Sequence, residues 1–513
     1  MILSLFRWSF ARLVACALVF AIAASHAPRL AAAGNDADAG TWRMVVMTSP
    51  AQIPVAPPTS TSSAEYQAEL TALKAAQGRL TRAQQRAIDY WSRGGVVCWN
   101  EIMLEMVARA DLPPPPNADG TYSAPDANNP FAEPQFPFGN PPYAARAYSY
   151  VSAAQFDALK AAWHFKYLYN RPSPSDVDGG VRALLPTNGL PAYPSEAAVL
   201  SGVTAELLKL LFPTNVEEIN RKSAEQREAA LLSGRATASD LAAGLALGNA
   251  VAALFTARAA TDGMRTAGGS PALFAALAAA ATARGEIPWR SLESPPRPPM
   301  LAAFGSVRAW MMAPEDIRNE RPPAPPSTSS ALMAREVEEV RNAVRKPTRE
   351  QIALVYKWAD GLSTPTPPGH WNVIAAPYIA GAGFSEVRAA RAYALLNMTM
   401  HDAAVACWDA KFAYYNPRPS QMDPRIRTII GLPNFPSYTS GHSTFSAAAA
   451  EVLSYLFPSA AGEFHTLKDE AAISRLYGGI HYRSDIEIGK DHGSRVGGYT
   501  VSFARTDGAD LPR

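Results

Sequence analysis

Apolar residues recur along most of this chain at intervals of three and four, in segments rich in Ala, Leu, Glu, Arg and Gln and poor in alternating β-branched runs. That spacing gathers the apolar side chains on one face of a helix, whereas a half-buried strand would need strict alternation. The pattern predicts an all-α protein. Thr81 with Gln84, and Thr348 with Gln351, have the form of a capping box, in which side chain and backbone at a helix start satisfy one another. They predict helices that run on to Trp91 and Trp358. Two proline-rich stretches, 112–143 and 291–326, interrupt the pattern. Because proline lacks an N–H and clashes with the preceding turn, both are expected as long surface connections.

The pattern also repeats. Ala145, Arg146, Ala147 and Tyr148 recur as Ala390, Arg391, Ala392 and Tyr393, a shift of 245 (390 − 145). The same shift relates Asp157 to Asp402, Trp163 to Trp408 and Lys166 to Lys411. After a small compensated gap it pairs Ser195 with Ser440, Leu211, Phe212 and Pro213 with Leu456, Phe457 and Pro458, and Ser239 and Asp240 with Ser484 and Asp485. Helical low complexity does not account for shared Trp, Pro and Asp positions. The expectation is an internal duplication: two related helical bundles, 64–263 and 331–508, joined by a proline-rich connection at 264–330.

Composition and charge narrow the function. Residues 1–33 read as a secretory signal, with Arg7 and Arg12 ahead of an apolar run that is short for a membrane span, then Ala31, Ala32 and Ala33 as a cleavage site. Export to a secreted or periplasmic location is expected. Leu13 to Cys16 imitates a lipoprotein box, but the apolar run lies after Cys16, so lipidation is not expected. No membrane span is expected in the mature chain. The net charge of +2 comes without a long basic run, which argues against a nucleic-acid partner. Past the signal only Cys98 and Cys407 remain, too few for a disulfide scaffold or a cysteine zinc site. Their pairing and the oligomeric state stay open.

The chemistry concentrates between Trp408 and Asp485. Lys411, Arg418 and Arg475 offer fixed positive charge, Ser440 and the Gly441 backbone N–H offer donors, and His442 and His481 can bond or move protons. That inventory fits a tetrahedral oxyanion. His442 falls at the start of a predicted helix, where backbone N–H groups favour an anion. Asp485 follows His481 by four residues, so on a helix the two would share a face and the carboxylate would hold the imidazole. Opposite Ser440, Gly441 and His442 the first copy has Ser195, Glu196 and Ala197, and opposite His481 it has Ala236. The first copy is expected to be inactive.

The spacings Lys411-x6-Arg418-Pro419, Ser440-Gly441-His442 and Ser474-Arg475-x5-His481-x3-Asp485 resemble those of the vanadium-dependent haloperoxidases and the acid and lipid phosphatases of the phosphatidate phosphatase type 2 superfamily. One departure is Thr439, where many members have Pro directly before the Ser. The resemblance implies a fold like vanadium chloroperoxidase. It implies that His481 is the vanadium ligand or the phosphoryl acceptor, that His442 is the acid–base group, and that Lys411, Arg418, Ser440, Gly441 and Arg475 bind the oxyanion. Trp408 and Phe435 stand where fungal chloroperoxidases carry the Trp and Phe associated with halide. The first reading is therefore a peroxidase holding vanadate and using peroxide and halide. The second is a cofactor-free phosphatase acting on a phosphate ester, and the third a non-enzymatic oxyanion-binding protein.

Overall fold

The computed structural model describes residues 35–123, 138–186 and 188–509. The expected signal segment, with Cys16, and the middle of the 112–143 stretch lie outside the described residues. Among those described, regular structure is helical and no strand occurs. The helices of two turns or more in the first bundle are α1 (Ala64–Gln77), α2 (Arg82–Trp91), α3 (Gly95–Ala110), α4 (Pro141–Tyr169), α5 (Glu196–Leu211), α6 (Val216–Leu232) and α7 (Ala238–Ala260). After α8 (Pro271–Ala283) the second bundle contains α9 (Ala331–Arg345), α10 (Arg349–Lys357), α11 (Thr366–Gly381), α12 (Glu386–Tyr414), α13 (Gly441–Leu456), α14 (Ala461–Tyr477) and α15 (Arg483–Ala504). Both capping boxes form, Thr81 with Gln84 on α2 and Thr348 with Gln351 on α10. The helix bounds carry the shift seen in the sequence: α4 moved by 245 gives the bounds of α12 (141 + 245 = 386; 169 + 245 = 414), and the same holds for α5 with α13 and α6 with α14.

The two long helices α4 and α12 lie against one another at the centre. There Asn397 Nδ2 donates to Ser152 Oγ at 2.9 Å, so two positions 245 apart (397 − 152) meet. Asn397 also exchanges bonds with Asn372, which accepts from Asn100 Nδ2 at 2.9 Å. Each of these buried amides finds a partner, so the polar ladder links the halves without leaving groups unpaired. Two further ion pairs repeat at the shift, Arg146 with Asp262 and Arg391 with Asp507, both buried.

Stretch 291–326 is not the surface connection its prolines imply. Phe304, Val307, Met312 and Ile317 are buried, and Trp310 and Met311 donate their backbone N–H groups to Asp402 on α12 at 2.7 Å each. Asp157 on α4 receives Val45, Val46 and Met47 in the same manner. A buried carboxylate thus anchors an extended strap on each central helix, where the loose backbone would otherwise lack acceptors. The expectation of no membrane-length apolar helix also needs correction, because Ala238–Thr266 is long and apolar enough by length and composition. One side of α7 is packed inside, with Leu247, Val251 and Phe255 buried. Ala and Leu on the outer faces raise the average. Cys98 and Cys407 are both free and buried.

Candidate oxyanion site

The turn from α14 into α15 aims the first histidine. Gly479 adopts φ +80°, and a Cβ there would also lie 2.7 Å from Val344, so only glycine fits the turn. His481 follows just ahead of α15, whose N-cap is Tyr482. His481 and Asp485 therefore do not share a helical face as expected. Asp485 instead occupies the third helical position and folds back, accepting from Tyr482 N at 3.1 Å, from Ser437 Oγ, and from His481 Nδ1 at 2.8 Å. Since Nδ1 gives its proton to the carboxylate, Nε2 carries the lone pair. Burial and the nearby Arg418, Lys411 and Arg475 charges hold His481 well below the usual imidazole range, and burial raises Asp485. The imidazole is thus a neutral, oriented donor of one lone pair.

Arg418 reaches that lone pair, with Nη1 3.0 Å from His481 Nε2 and 2.8 Å from Ile480 O, while Nε donates to Phe435 O at 2.9 Å. Its Nη2 is buried and has no partner. Lys411 departs from expectation. Its ammonium is wholly buried and spends its three protons on the carbonyls of Pro436, Ser437 and Thr439. Burial, reinforced by Arg418, draws it down to about 7. Here Lys411 shapes the 436–439 loop and does not line the cavity. Ser440 likewise turns inward, its Oγ accepting from Ser443 N at 3.4 Å as the cap of α13. Gly441 lines the cavity, and a Cβ on it would meet only Phe445 at 3.8 Å. Gly493 of α15 seats α13, since a Cβ would come 2.1 Å from Thr444 O. That close approach fixes the start of α13 against His481.

His442 faces the same cavity from the first turn of α13. Its Nε2 lies 3.1 Å from Asp360 Oδ2, and the other oxygen, Oδ1, lies 3.0 Å from His370 Nδ1. His370 is stacked on Trp358 with ring centroids 4.4 Å apart. Burial and Arg475 lower His442 to about 4 even though Asp360 pulls the other way, and both histidines hold Asp360 far below the carboxylate range against its burial. Arg475 donates to Ser474 Oγ at 3.0 Å and to Trp358 O, and remains charged, lowered by burial to about 10. Trp408 and Phe435 meet on the wall with centroids 4.9 Å apart; the Trp408 N–H is committed to Met300 O at 3.1 Å, leaving only ring surface for the cavity. Lys411 and Arg418 both lie 5.0 Å from the Phe435 ring centre.

The structure thus brings His442, His481, Gly441 and Arg475 to one cavity, with Arg418 against Nε2 of His481, Asp485 against its Nδ1, and Trp408 and Phe435 on the wall. Sequence reasoning missed Asp360, His370, Ser437 and Asp111, the last a cavity residue from the first bundle. Ser437 was within reach, since it sits in the motif block between Pro436 and Ser440.

Residues 389–507 match the profile of the PAP2 superfamily. This segment is a PAP2-superfamily domain. No curated protein matches the chain significantly. Among solved structures, a bacterial vanadium-dependent iodoperoxidase superposes with a TM-score of 0.56 at 21% identity, covering 78% of this chain and 95% of that one. A bacterial vanadium-dependent chloroperoxidase in its apo form gives 0.50 at 15%, covering 71% and 94%. At these identities the likeness is one of fold, and it extends beyond the PAP2 segment into the first bundle.

In the first bundle the counterparts of the PAP2 site cancel one another. Lys166 donates to Pro191 O at 2.5 Å and pairs with Glu196 at 2.7 Å, while Arg171 pairs with Asp240 at 2.9 Å. Position 236 is a buried alanine, and the cavity beside Glu196 shrinks to about 80 Å³. A carboxylate of the chain itself occupies the place of an anion. Glu196→Ala should therefore destabilise the fold by about 3–5 kcal/mol, because the wholly buried Lys166 ammonium loses its counter-charge. Urea unfolding checks this, and a change below ~1 kcal/mol would show that the Glu196 pairing does not hold Lys166 in place.

Proposed function

We propose that this chain is a vanadium haloperoxidase-like enzyme, with vanadate held by His481. The observation that carries the reading is the His481 Nε2 lone pair, oriented through Nδ1 by Asp485 and set against Arg418 in a cavity that His442 also faces. The residues fit a tetrahedral oxyanion. One imidazole lone pair and surrounding N–H donors suit an anion's central atom and its oxygens, and Arg418 Nη2 is a buried donor awaiting an acceptor. His481 would be the ligand, with Arg418, Arg475 and the Gly441 N–H on the oxygens. Bound vanadate supplies a Lewis-acid centre that activates peroxide for halide oxidation.

The remaining work falls to the chain. Arg418 and Arg475 hold charge that develops on oxygen; Arg475 is held in place by Trp358 O and Ser474 Oγ, whereas Arg418 Nη1 passes from His481 Nε2 to the anion's oxygens when that nitrogen bonds. His442 moves the proton, with Asp360 fixing its ring through Nε2. Trp408 and Phe435 give halide a dry, polarisable wall. Lys411 acts from behind, through the carbonyls it binds and the positive field it adds.

The second reading is a phosphatase, in which His481 Nε2 takes the phosphoryl group and His442 protonates the leaving oxygen. The same neutral lone pair favours it. The two separate by assay: purified protein loaded with vanadate and given peroxide with iodide or bromide should oxidise the halide, and vanadate-free protein should not hydrolyse p-nitrophenyl phosphate. The reverse result replaces the peroxidase with the phosphatase; inactivity in both would leave the oxyanion-binding reading.

A further inference from the structure

The cavity above His481 is far larger than small inorganic reactants require. Its volume is about 790 Å³, whereas a peroxide or a halide is on the scale of one or two waters, about 30 Å³ each. Pockets that enclose organic ligands run from roughly 300 to 1,000 Å³ and are mostly apolar with a few polar groups. This one has Phe138, Trp289, Ile430 and Leu432 on its walls and the histidines and Arg475 at one end.

The rim strengthens the case. Eight large apolar side chains are strongly exposed among the described residues. Leu292, Tyr356 and Leu362, exposed by 41%, 62% and 62%, line this cavity, and Leu112 adjoins the lining residues Asp111 and Pro113. Isolated exposed apolar residues need no explanation, but a cluster around one mouth marks a binding surface. On the rim Arg297 pairs with Glu293 at 2.6 Å, while Arg290 and Arg475 also line the cavity. Asp111 on the wall is pushed up to about 8 by burial and by Asp360, so it meets a guest as a neutral carboxyl at neutral pH.

We propose that the cavity binds a ring-bearing organic body directly over the oxyanion seat. This rests on the reading of the site as an oxyanion centre. In a peroxidase the body is the halogen acceptor: one ring C–H becomes C–halogen, and peroxide takes the two electrons, leaving as two waters with the ring proton and one solvent proton. In a phosphatase it is the organic part of a monoester, whose P–O bond breaks with addition of water.

The test uses 1-naphthol and 1-naphthyl phosphate on the full chain. Tryptophan fluorescence should report saturable 1-naphthol binding, and Leu362→Glu and Tyr356→Glu should each raise its Kd at least tenfold. Leu210→Glu, at a leucine on α5 exposed by 47%, should leave the Kd within twofold. Absence of saturable binding, or equal effects at Leu362 and Leu210, overturns the proposal. Both rim side chains are 62% exposed, so the folded state tolerates the charge, and circular dichroism verifies it. Hydrolysis of 1-naphthyl phosphate without vanadate would assign the body to a phosphate ester and sink the peroxidase reading, while the 1-naphthol Kd still decides whether the cavity binds the ring.

Discussion

His481→Ala should bind no vanadate at concentrations that saturate the wild type, and peroxidase turnover should fall to background. The reason is geometric. Nε2 of His481 is the lone pair set against Arg418 at 3.0 Å, and its orientation depends on Asp485 at 2.8 Å through the other ring nitrogen. His442 reaches the cavity from a different element, the first turn of α13, with its Nε2 against Asp360 and not against Arg418. Isothermal titration with vanadate checks the binding, and rapid-quench trapping checks for a phosphoenzyme on the alternative reading. A variant whose vanadate affinity stays within threefold of the wild type would show that His481 is not the ligand.

His442→Ala should keep the oxyanion and lose turnover, by about 10²–10⁴-fold, as for removal of an acid–base group. Its pH behaviour adds a signed consequence. In the free protein burial and Arg475 lower this imidazole to about 4, so it is neutral at pH 6 to 8. A bound anion stabilises the imidazolium and raises that value, so binding takes up a proton. Apparent affinity must then weaken as pH rises above about 4, by up to one log unit per pH unit, until the liganded value is passed. Titrations across pH 5 to 8 should show a steeper slope for the wild type than for His442→Ala, the difference cancelling the anion's own ionisation. Equal slopes would remove His442 from the proton step. Asp360→Asn should fall between the two, since it leaves the ring in place but weakens its anchor.

Much of this was legible in the chain. Helix bounds follow from apolar spacing and capping boxes because those are local, and the shift of 245 survives because buried Asp, Arg and Trp positions cannot drift without losing partners. The three motif blocks named Gly441, His442, Arg475 and His481, which meet at the cavity, along with Lys411 and Ser440, which turn away from it. Other features depend on long-range packing. Asp360 and His370 lie in a loop and at a helix start with no periodic signature, and only the stacking of His370 on Trp358 sets them behind His442. Lys411 reads as an anion clamp, yet three carbonyls of a loop 25 to 28 residues away claim its protons. The proline-rich stretch reads as a surface loop because composition reports missing N–H groups and not the waiting carboxylate of Asp402.

The burial of the central helices bears on what the chain can discard. Of the 29 residues of α12, 25 are buried, and α4 is covered on nearly every side as well. Such helices have no face meant for water; each serves as the other's interior. Shortening the gene to the catalytic half would turn a band of Ala, Leu and Met outward and open the wall that Asp111 and Phe138 close. Glu196 pairs with Lys166 in the first bundle, while residues of that bundle still wall the cavity of the second. Mutations that loosen α4 or the wall around Asp111 are therefore expected to surface at the cavity, some distance from where they are made.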